Sequence, residues 1–589
     1  MEKLLGWKKR TRLEKGLAIL WLLLLGGAVA RVALGSWVTD DFFITLRYAD
    51  SVVAGDGPVY NSGERTEGYT HFLWLCLITL GRGLGIDGVA LGRFLGLPAF
   101  VGTLLLLVRI SGRLFPRGGL WGFPAAALAW ALHEDALLYA SGGLETPAFI
   151  LALLLAFEAL CLSGAVRTAA WAFACATLLR PEGMLFSLVA LVFLLWQKCR
   201  RRGGEFLLLW TLLVAPLFIF RLAYYGEPLP NTYYAKSGGG AYWQQGLHYL
   251  TAYFGSYFAL GFAFLAAAPI LRDLRRSESR FGRRADAALL FALAASLASI
   301  VYVTRIGGDY MFGRFLLPIT PFLLLLCESL PQRLRRCSWS GVGALLLVAL
   351  VWSGAFVKHR LVRPDRPWHG ITDEPRIHTQ GRLQRARGIG EAFRPCFENT
   401  RARFLVLAGQ ATLAYFAHFP EAIECYGLVD AHIARQKLRL RGRPGHEKFI
   451  DPEYAYRQRR VHFRVHGDPV RSLPLFTQLL VPGPGPRGRV QAEILIYDRE
   501  LMAELRTCPR IAFVDFPRWL QESYLPQVPM LPQRRLLQDY HHFMRFYFEH
   551  DPDPEGLFAK LRAALAARGL EQIPPEPLPP IVDPGVGWR

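Results

Sequence analysis

Charge is scarce in this chain, and what there is of it is lopsided. Only 20% of its 589 residues are Asp, Glu, Lys or Arg while 52% are hydrophobic, so a soluble protein of this size would lack the polar surface to cover itself. Acid is the scarcer sign: 47 Asp and Glu stand against 68 Lys and Arg, a formal net charge of +21. Such an excess can mark nucleic-acid binding. Here no zinc-finger or helix-turn-helix pattern occurs, and no aromatics alternate with basic residues along a soluble face. Much of the excess lies in short loops between apolar segments, where it is first an orientation signal. Nucleic acid is not an expected partner.

The nine cysteines show no metal-ligand spacing. Cys76, Cys161, Cys175, Cys199, Cys327 and Cys337 fall among the apolar segments and read as small packing residues. Cys396, Cys425 and Cys508 allow one disulfide if their part of the chain is extracytoplasmic, with the pairing left open. No small-residue cleavage site follows the first apolar stretch, which reads as an anchor. No internal repeat is evident.

What is present is a succession of apolar segments of helical length before about residue 357. The reading is of about eleven crossings: 16–34, 88–110, 120–138, 146–162, 168–180, 184–197, 206–224, 250–270, 286–304, 314–330 and 341–357. Tyr69–Leu80 is apolar but too short to cross and reads as an interfacial helix. Lys3, Lys8, Lys9, Arg10, Arg12 and Lys15 put the N-terminus in the cytoplasm. The basic loops containing Arg113 and Arg117, Arg167, Lys198–Arg202, Arg272–Arg284 and Arg333–Arg336 then share that side. The opposite face receives the first loop 35–87, the turns 139–145 and Pro181–Gly183, segments 225–249 and 305–313, and everything after about 358. The expected division is a membrane module over 1–357, a connecting segment over 358–400 and an outer domain over 401–589.

The outer face carries the chemistry. Asp40 and Asp41 follow directly on the first apolar helix and precede an interfacial stretch containing Arg47. Glu64, Arg65, Glu67 and His71 come later in the same loop. Glu145 opens a helix after Gly142–Gly143, and Arg180 and Glu182 form a charged turn where either charge alone would be costly. Lys236 follows the seventh segment, and Arg305, Asp309 and Arg314 flank Gly307–Gly308. Each residue has a plainer reading: a solvated loop for the aspartates, caps for Glu67 and Glu145, a structural ion pair for Arg180 and Glu182, and snorkelling cations for the 305–314 loop. Together they suit group transfer from a lipid-linked phosphate. A carboxylate can take the proton of an acceptor hydroxyl, arginines match phosphate oxygens bidentately, and cations or a metal offset the charge of a departing phosphate.

Asp40-Asp41-Phe-Phe-Ile-Thr-Leu-Arg-Tyr-Ala and Glu67-Gly-Tyr-Thr-His-Phe-Leu-Trp74 resemble the GT-C glycosyltransferases. Within them they are similar to the mycobacterial AftB-type terminal arabinofuranosyltransferases and their bacterial relatives. Gly-Gly-Leu-Glu145-Thr, Arg180-Pro-Glu-Gly183, Gly307-Gly-Asp-Tyr-Met-Phe-Gly-Arg314-Phe, Gly427-Leu-Val-Asp430-Ala-His-Ile-Ala and Arg441-Gly-Arg-Pro-Gly-His446-Glu-Lys448 share the resemblance, which covers roughly 15–460 and weakens toward the C-terminus. It implies a polytopic α-helical membrane protein of GT-C type with a C-terminal mixed α/β extracytoplasmic domain, in a bacterial inner membrane. The implied activity is inverting transfer of a sugar from a polyprenyl-phosphate donor to an envelope glycan or glycolipid acceptor, without a covalent sugar–enzyme intermediate. Arabinofuranose is one candidate sugar, and the residues that discriminate sugars are not legible. Asp40 or Asp41 takes the catalytic or metal-associated role, with Glu67 and Glu145 near the donor sugar. Arg47, Arg180, Glu182, Lys236, Arg305, Asp309 and Arg314 are the expected donor-binding set. A divalent cation, Mg²⁺ or Mn²⁺, is a candidate cofactor at Asp40 and Asp41, and no organic cofactor is expected.

A transporter or flippase for a lipid-linked precursor is the competing class, although charges gathered at one set of helix ends without repeats fit it less well. In the C-terminal part, 404–407, 461–465, 492–497 and 511–516 read as strands and 421–436 and 531–548 as helices. His446, His541 and His542 lack partners at ligand spacing and read as surface or packing residues. The turn Arg441–Lys448 is a candidate contact for an anionic substrate, and Pro574–Pro584 reads as extended.

Overall fold

The computed structural model describes residues 12–35, 37–115, 124–236, 240–276, 282–333, 337–363, 367–407, 409–438, 441–465, 473–484 and 488–579. Two compact units emerge. The first comprises Met1–Val53, Tyr69–Gln380 and Leu440–Gly445; the second comprises Ala54–Gly68, Gly381–Arg439 and His446–Arg589. Each therefore borrows a piece from the other's stretch of sequence: 54–68 leaves the first loop for the second unit, and 441–445 joins the first.

The first unit is helical. Among the described residues four helices are long and apolar enough to cross a membrane: Gly88–Leu114, Thr146–Ser163, Arg200–Tyr225 and Arg283–Ile306. A fifth results if Trp243–Ser256 and Phe258–Arg275, bent by 97°, count as one span. The expectation of about eleven crossings is therefore corrected. Segment 120–138 is not one helix but Ala125–Ala131 and Glu134–Ser141, each far shorter than the roughly 30 Å of a hydrocarbon core. Val166–Leu179 and Gly183–Trp196 are separate 14-residue helices. Segment 314–330 holds a helix only from Thr320 onward. Ala125–Ala131 is buried throughout, whereas Gly183–Trp196 exposes Met184, Leu188, Val192, Leu195 and Trp196; burial inside a helical bundle and crossing of a bilayer leave the same signature in sequence. The short helix expected at Tyr69–Leu80 forms as Phe72–Gly83.

Charged groups at the helix ends opposite Glu145 are neutralised in pairs. Glu158 takes Arg113 at 2.6 Å and Arg109 at 2.7 Å, and Arg284 donates to the Cys161 carbonyl at 3.2 Å. Arg333 reaches Asp273 and Asp286, both at 2.5 Å. Arg113, Arg284 and the end of the Thr146–Ser163 helix thus meet at one end of the bundle, as the loop assignment required of them. Lys3, Lys8, Lys9, Arg10, Arg117, Arg280, Arg335 and Arg336 lie outside the described residues.

The second unit is mixed α/β. Its sheet contains β1 (Arg403–Val406), β2 (Glu421–Glu424), β3 (Phe463–Val465), β4 (Gln478–Pro482), β5 (Arg489–Ile494) and β6 (Ala512–Phe513), in the order β2-β1-β3-β5-β4-β6. β1 pairs in parallel with β2 and β3, and the remaining neighbours are antiparallel. Four strands fall where apolar runs placed them. β4 was not anticipated, and Glu421–Glu424 is a strand where a helix was expected, the helix being confined to Ala431–Arg435. Asn61 extends this unit's edge, exchanging side-chain hydrogen bonds with the backbone N–H and C=O of Ala422. Phe393, Phe397, Phe404, Phe419 and Phe463 form an aromatic core, with Phe404 and Phe419 stacked at 3.7 Å. Cys396 and Cys508 are disulfide-bonded and Cys425 is buried outside any disulfide, which resolves the pairing left open above. His446 packs on Tyr426 and His542 on Phe476.

Candidate functional site

Close backbone approach brings the first loop to Glu145. A Cβ on Gly142 would lie 2.4 Å from the Trp37 ring, and one on Gly143 2.7 Å from Phe42. The two glycines are therefore seats for the aromatics that flank Asp40 and Asp41. The Thr39 N–H donates to the Gly142 carbonyl at 3.1 Å, and the Trp74 indole donates to the Gly143 carbonyl at 3.0 Å. Glu145 begins the Thr146–Phe157 helix, and Asp41 begins the helix Asp41–Ala54. Both are carboxylates at helix N-termini, where the helix dipole favours them.

Around them stands a ring of opposite charges. Arg314 is at its centre: its guanidinium lies 3.2 Å from Glu145, 3.8 Å from Asp309 and 4.0 Å from Asp41. Arg180 pairs with Glu182 at 2.8 Å, reaches Glu145 at 3.7 Å, and rests over Phe315 and Phe149. The Tyr310 hydroxyl donates to Asp41 Oδ2 at 3.0 Å, and the Tyr310 N–H donates to Asp309 Oδ1 at 2.8 Å. His71 sits 3.8 Å from Glu145 Oε2 and hydrogen-bonds Thr45 at 2.8 Å. The side chains of Glu145 and Asp309 are 2% and 3% exposed, that of Asp41 28%. Asp41 is thus the most exposed carboxylate of this ring, ahead of Glu182 at 16%.

Burial alone would raise the Glu145 carboxyl, but Arg314, His71 and Arg180 oppose it and hold it at about 2. Burial is also the largest influence on His71 and lowers it. Burial would likewise discharge Arg314, yet Glu145, Asp309 and Asp41 outweigh it and raise its pKa. Glu145 and Glu182 are therefore held as carboxylates, and Arg180 and Arg314 as guanidinium cations. Glu145 Oε2, Asp309 Oδ2, Arg180 Nη1 and Arg314 Nε are buried without a hydrogen-bond partner. Buried orphans of this kind cost free energy unless water or a ligand meets them.

Of the expected site residues, Asp41, Glu145, Arg180, Glu182, Asp309 and Arg314 are brought together. Asp40 is buried immediately before Asp41, its carbonyl accepting from the Phe43 N–H at 3.0 Å. Arg47, half-buried, is six residues along the same helix and so on another face from Asp41. Glu67 is buried in the segment 54–68 of the second unit. Lys236 and Arg305 are exposed and take no part in the ring contacts given above. His71 and Tyr310 belong to the ring although they were not counted among the site residues. His71 stood in a flagged loop, but nothing in sequence distinguishes a tyrosine that will meet a carboxylate.

Among the described residues no three His, Cys, Asp or Glu side chains converge as a metal site would require, and Asp41 Oδ2 is engaged by Tyr310. Asp40 and Asp41 fit only the mode in which Mg²⁺ takes one or two carboxylates and completes its shell with waters and substrate phosphate. The C-terminal motif at 427–430 has a folding role. Glu424 accepts from the Tyr426 and Leu428 N–H groups, Gly427 has φ +83°, and Asp430 caps the short helix that follows.

No family model matches the chain. Over 395 residues it is 32% identical to a terminal β-(1→2)-arabinofuranosyltransferase of Mycobacterium tuberculosis (strain ATCC 25618 / H37Rv), covering 58% of this chain and 62% of the relative. Over 352 residues it is 30% identical to a terminal β-(1→2)-arabinofuranosyltransferase of Corynebacterium glutamicum (strain ATCC 13032), covering 54% and 51%. The chain thus spans about half to three fifths of the curated relatives it matches. The resemblance carried by the first-loop motifs is borne out in these relatives. The crystal structure of apo ArnT from Cupriavidus metallidurans is similar with a TM-score of 0.48 at 13% identity, over 81% of this chain and 98% of that one. The same protein bound to undecaprenyl phosphate gives 0.43 at 13% identity, over 69% and 85%.

Proposed function

We propose that this chain, a relative of the terminal arabinofuranosyltransferases over somewhat more than half its length, is an inverting GT-C-type glycosyltransferase. It moves a sugar from a polyprenyl-phosphate donor to an envelope glycan or glycolipid. The observation that carries this reading is Asp41: a partly exposed carboxylate at a helix N-terminus, oriented by Tyr310 and Arg314 within a mostly buried ring of charged side chains. In the proposed reaction a carboxylate of the Asp40–Asp41 pair accepts the proton of the acceptor hydroxyl. The hydroxyl oxygen bonds to the anomeric carbon from the face opposite the phosphate. The bond from that carbon to the phosphate oxygen breaks, and polyprenyl phosphate leaves with the electron pair. Arg180, through Nη1, which lies 3.7 Å from Glu145 but makes no hydrogen bond, meets the departing phosphate. A divalent cation held by Asp40, Asp41 and phosphate oxygens would add positive charge at the leaving group.

Arabinofuranose is the candidate sugar that the relatives' activity suggests. A bacterial plasma membrane is the proposed location, with the second unit extracytoplasmic. The Cys396–Cys508 disulfide supports that side, since such bonds persist in oxidising compartments. The test is mass spectrometry of purified protein in lipid nanodiscs, incubated with a panel of polyprenyl-phosphate sugars and envelope glycan extract, beside an Asp40→Ala/Asp41→Ala double variant. Donor consumption that disappears in the variant supports transfer and names the sugar. Intact donor across the panel, with folded protein and matched acceptor, overturns it in favour of transport of a lipid-linked precursor.

A further inference from the structure

The segment 441–445 belongs to the first unit, and it sets Arg443 against the ring from behind. The Arg443 guanidinium lies over the Tyr310 ring, 4.3 Å from its centroid. The same guanidinium donates to Thr372 Oγ1 at 3.2 Å and reaches Glu374 Oε1 at 3.5 Å. Thr372 is itself joined to the loop that carries Tyr310: its N–H donates to the Tyr310 carbonyl at 2.8 Å, and its carbonyl accepts from the Phe312 N–H at 2.9 Å. Glu374 is fixed in turn by Thr372 Oγ1 at 3.0 Å and by His378 at 3.3 Å. Arg443 is 12% exposed and Glu374 3%, so this network is a built, mostly dry contact.

A tyrosine on a glycine-rich loop has two rotatable side-chain bonds and several places to point. A flat cation stacked on one face removes that freedom, and a Lys ammonium would do so less well because it lacks the planar surface. So held, the Tyr310 hydroxyl donates to Asp41 Oδ2 at 3.0 Å. We propose that Arg443 is a positioning residue of the transferase site: it holds Tyr310 so that the hydroxyl fixes the orientation of Asp41. This assigns the basic turn a role different from contact with an anionic substrate, and it rests on the transferase reading above.

Two measurements on the full chain in nanodiscs test it. In the first, 3-fluorotyrosine is placed at position 310 and its fluorine resonance recorded in wild type, Asp41→Asn, Arg443→Met and the double variant. Both single changes are expected to move the resonance, with a double effect smaller than the sum. An unmoved resonance in Arg443→Met overturns the proposal whether or not any donor is consumed. In the second, turnover is measured with the donor that wild type consumes. Arg443→Met and Tyr310→Phe are each expected to lower kcat by about 10- to 100-fold with donor KM unchanged within about twofold, as for loss of an oriented hydrogen bond to a charged group. Arg443→Lys is expected to recover part of the loss, and Arg443→Met/Tyr310→Phe to resemble either single variant. A raised donor KM with kcat retained, or fully additive losses, overturns the proposal by making Arg443 a substrate contact or an independent structural residue. Absence of turnover in wild type across the donor panel counts against the transferase reading instead, and leaves the fluorine result to decide the Arg443–Tyr310–Asp41 link.

Discussion

Glu145→Gln isolates the electrostatics of the ring because it removes a charge and almost no volume. With its carboxyl held at about 2 instead of the ordinary 4.5, the ionised form of Glu145 is favoured by up to about 3 kcal/mol, at about 1.36 kcal/mol for each pKa unit. The side chain is 2% exposed, so solvent screening takes little from that figure. The sign follows from the depression: this stabilisation is fully present above about pH 4.5 and is lost only as pH falls through about 2. The variant in nanodiscs, followed by denaturant-titrated proteolysis at pH 7, is expected to lose up to about 3 kcal/mol. The gap to wild type should be the same at pH 6 and pH 8. Arg314→Met should be at least as damaging, because it strands Glu145, Asp309 and Asp41 around one missing cation. The double variant should cost less than the sum of the two. A Glu145→Gln protein within about 0.5 kcal/mol of wild type, the range of an ordinary surface change, or a gap that closes between pH 8 and pH 6, would refute the reasoning.

Gly308→Ala is expected to reduce donor turnover sharply while leaving the second unit intact. Gly308 has φ +73°, and a Cβ there would lie 2.4 Å from the Tyr249 side chain, so the loop carrying Asp309 and Arg314 must shift; full turnover would show that the loop geometry is not needed. The disulfide closes a sequence separation of 112 residues, and Cys396→Ser/Cys508→Ser should destabilise the second unit by about 2–5 kcal/mol. Protease resistance of residues 446–579 with and without reductant measures this, and no change in resistance on reduction would argue against a formed bond.

The site was legible where chemistry must be declared in composition. A carboxylate pair after an apolar helix, a charged turn between apolar helices, and Gly-Gly before Glu145 are costly patterns that packing alone does not require. The structure gives those glycines a physical meaning as seats for Trp37 and Phe42. Legibility failed where a partner was distant in sequence. Asp135 was absorbed into the apolar segment 120–138 and Lys358 was placed at the start of the connecting segment, yet Lys358 is fully buried, 2.9 Å from Asp135 and 3.3 Å from Asp373, with the Tyr257 hydroxyl on Asp135 at 2.6 Å. Helix counting failed for a related reason, since hydropathy cannot tell Ala125–Ala131, buried among helices, from the middle of a membrane span. The exchange of 54–68 and 441–445 between units has no local signal at all.

The ring also constrains how an anionic donor can be held. Asp41, Glu145, Glu182 and Asp309 outnumber Arg180 and Arg314, so a lipid phosphate approaching the ring as it stands meets net negative charge. Arg314 cannot be given up to the phosphate without taking its charge from Glu145 and Asp309, both almost fully buried. Arg180 is differently placed. Its Nε and Nη2 serve Glu182, whereas Nη1 is buried with no hydrogen bond, and Phe315 and Phe149 hold the guanidinium plane in position. The two arginines therefore differ: Arg314 is shared by Glu145, Asp309 and Asp41, and Arg180 keeps a buried N–H without a hydrogen bond, the group that the proposed transfer directs at a phosphate. Exchange of the two roles by mutation should not be tolerated, because Arg314 reaches Glu145, Asp309 and Asp41 whereas Arg180 reaches Glu145 and Glu182.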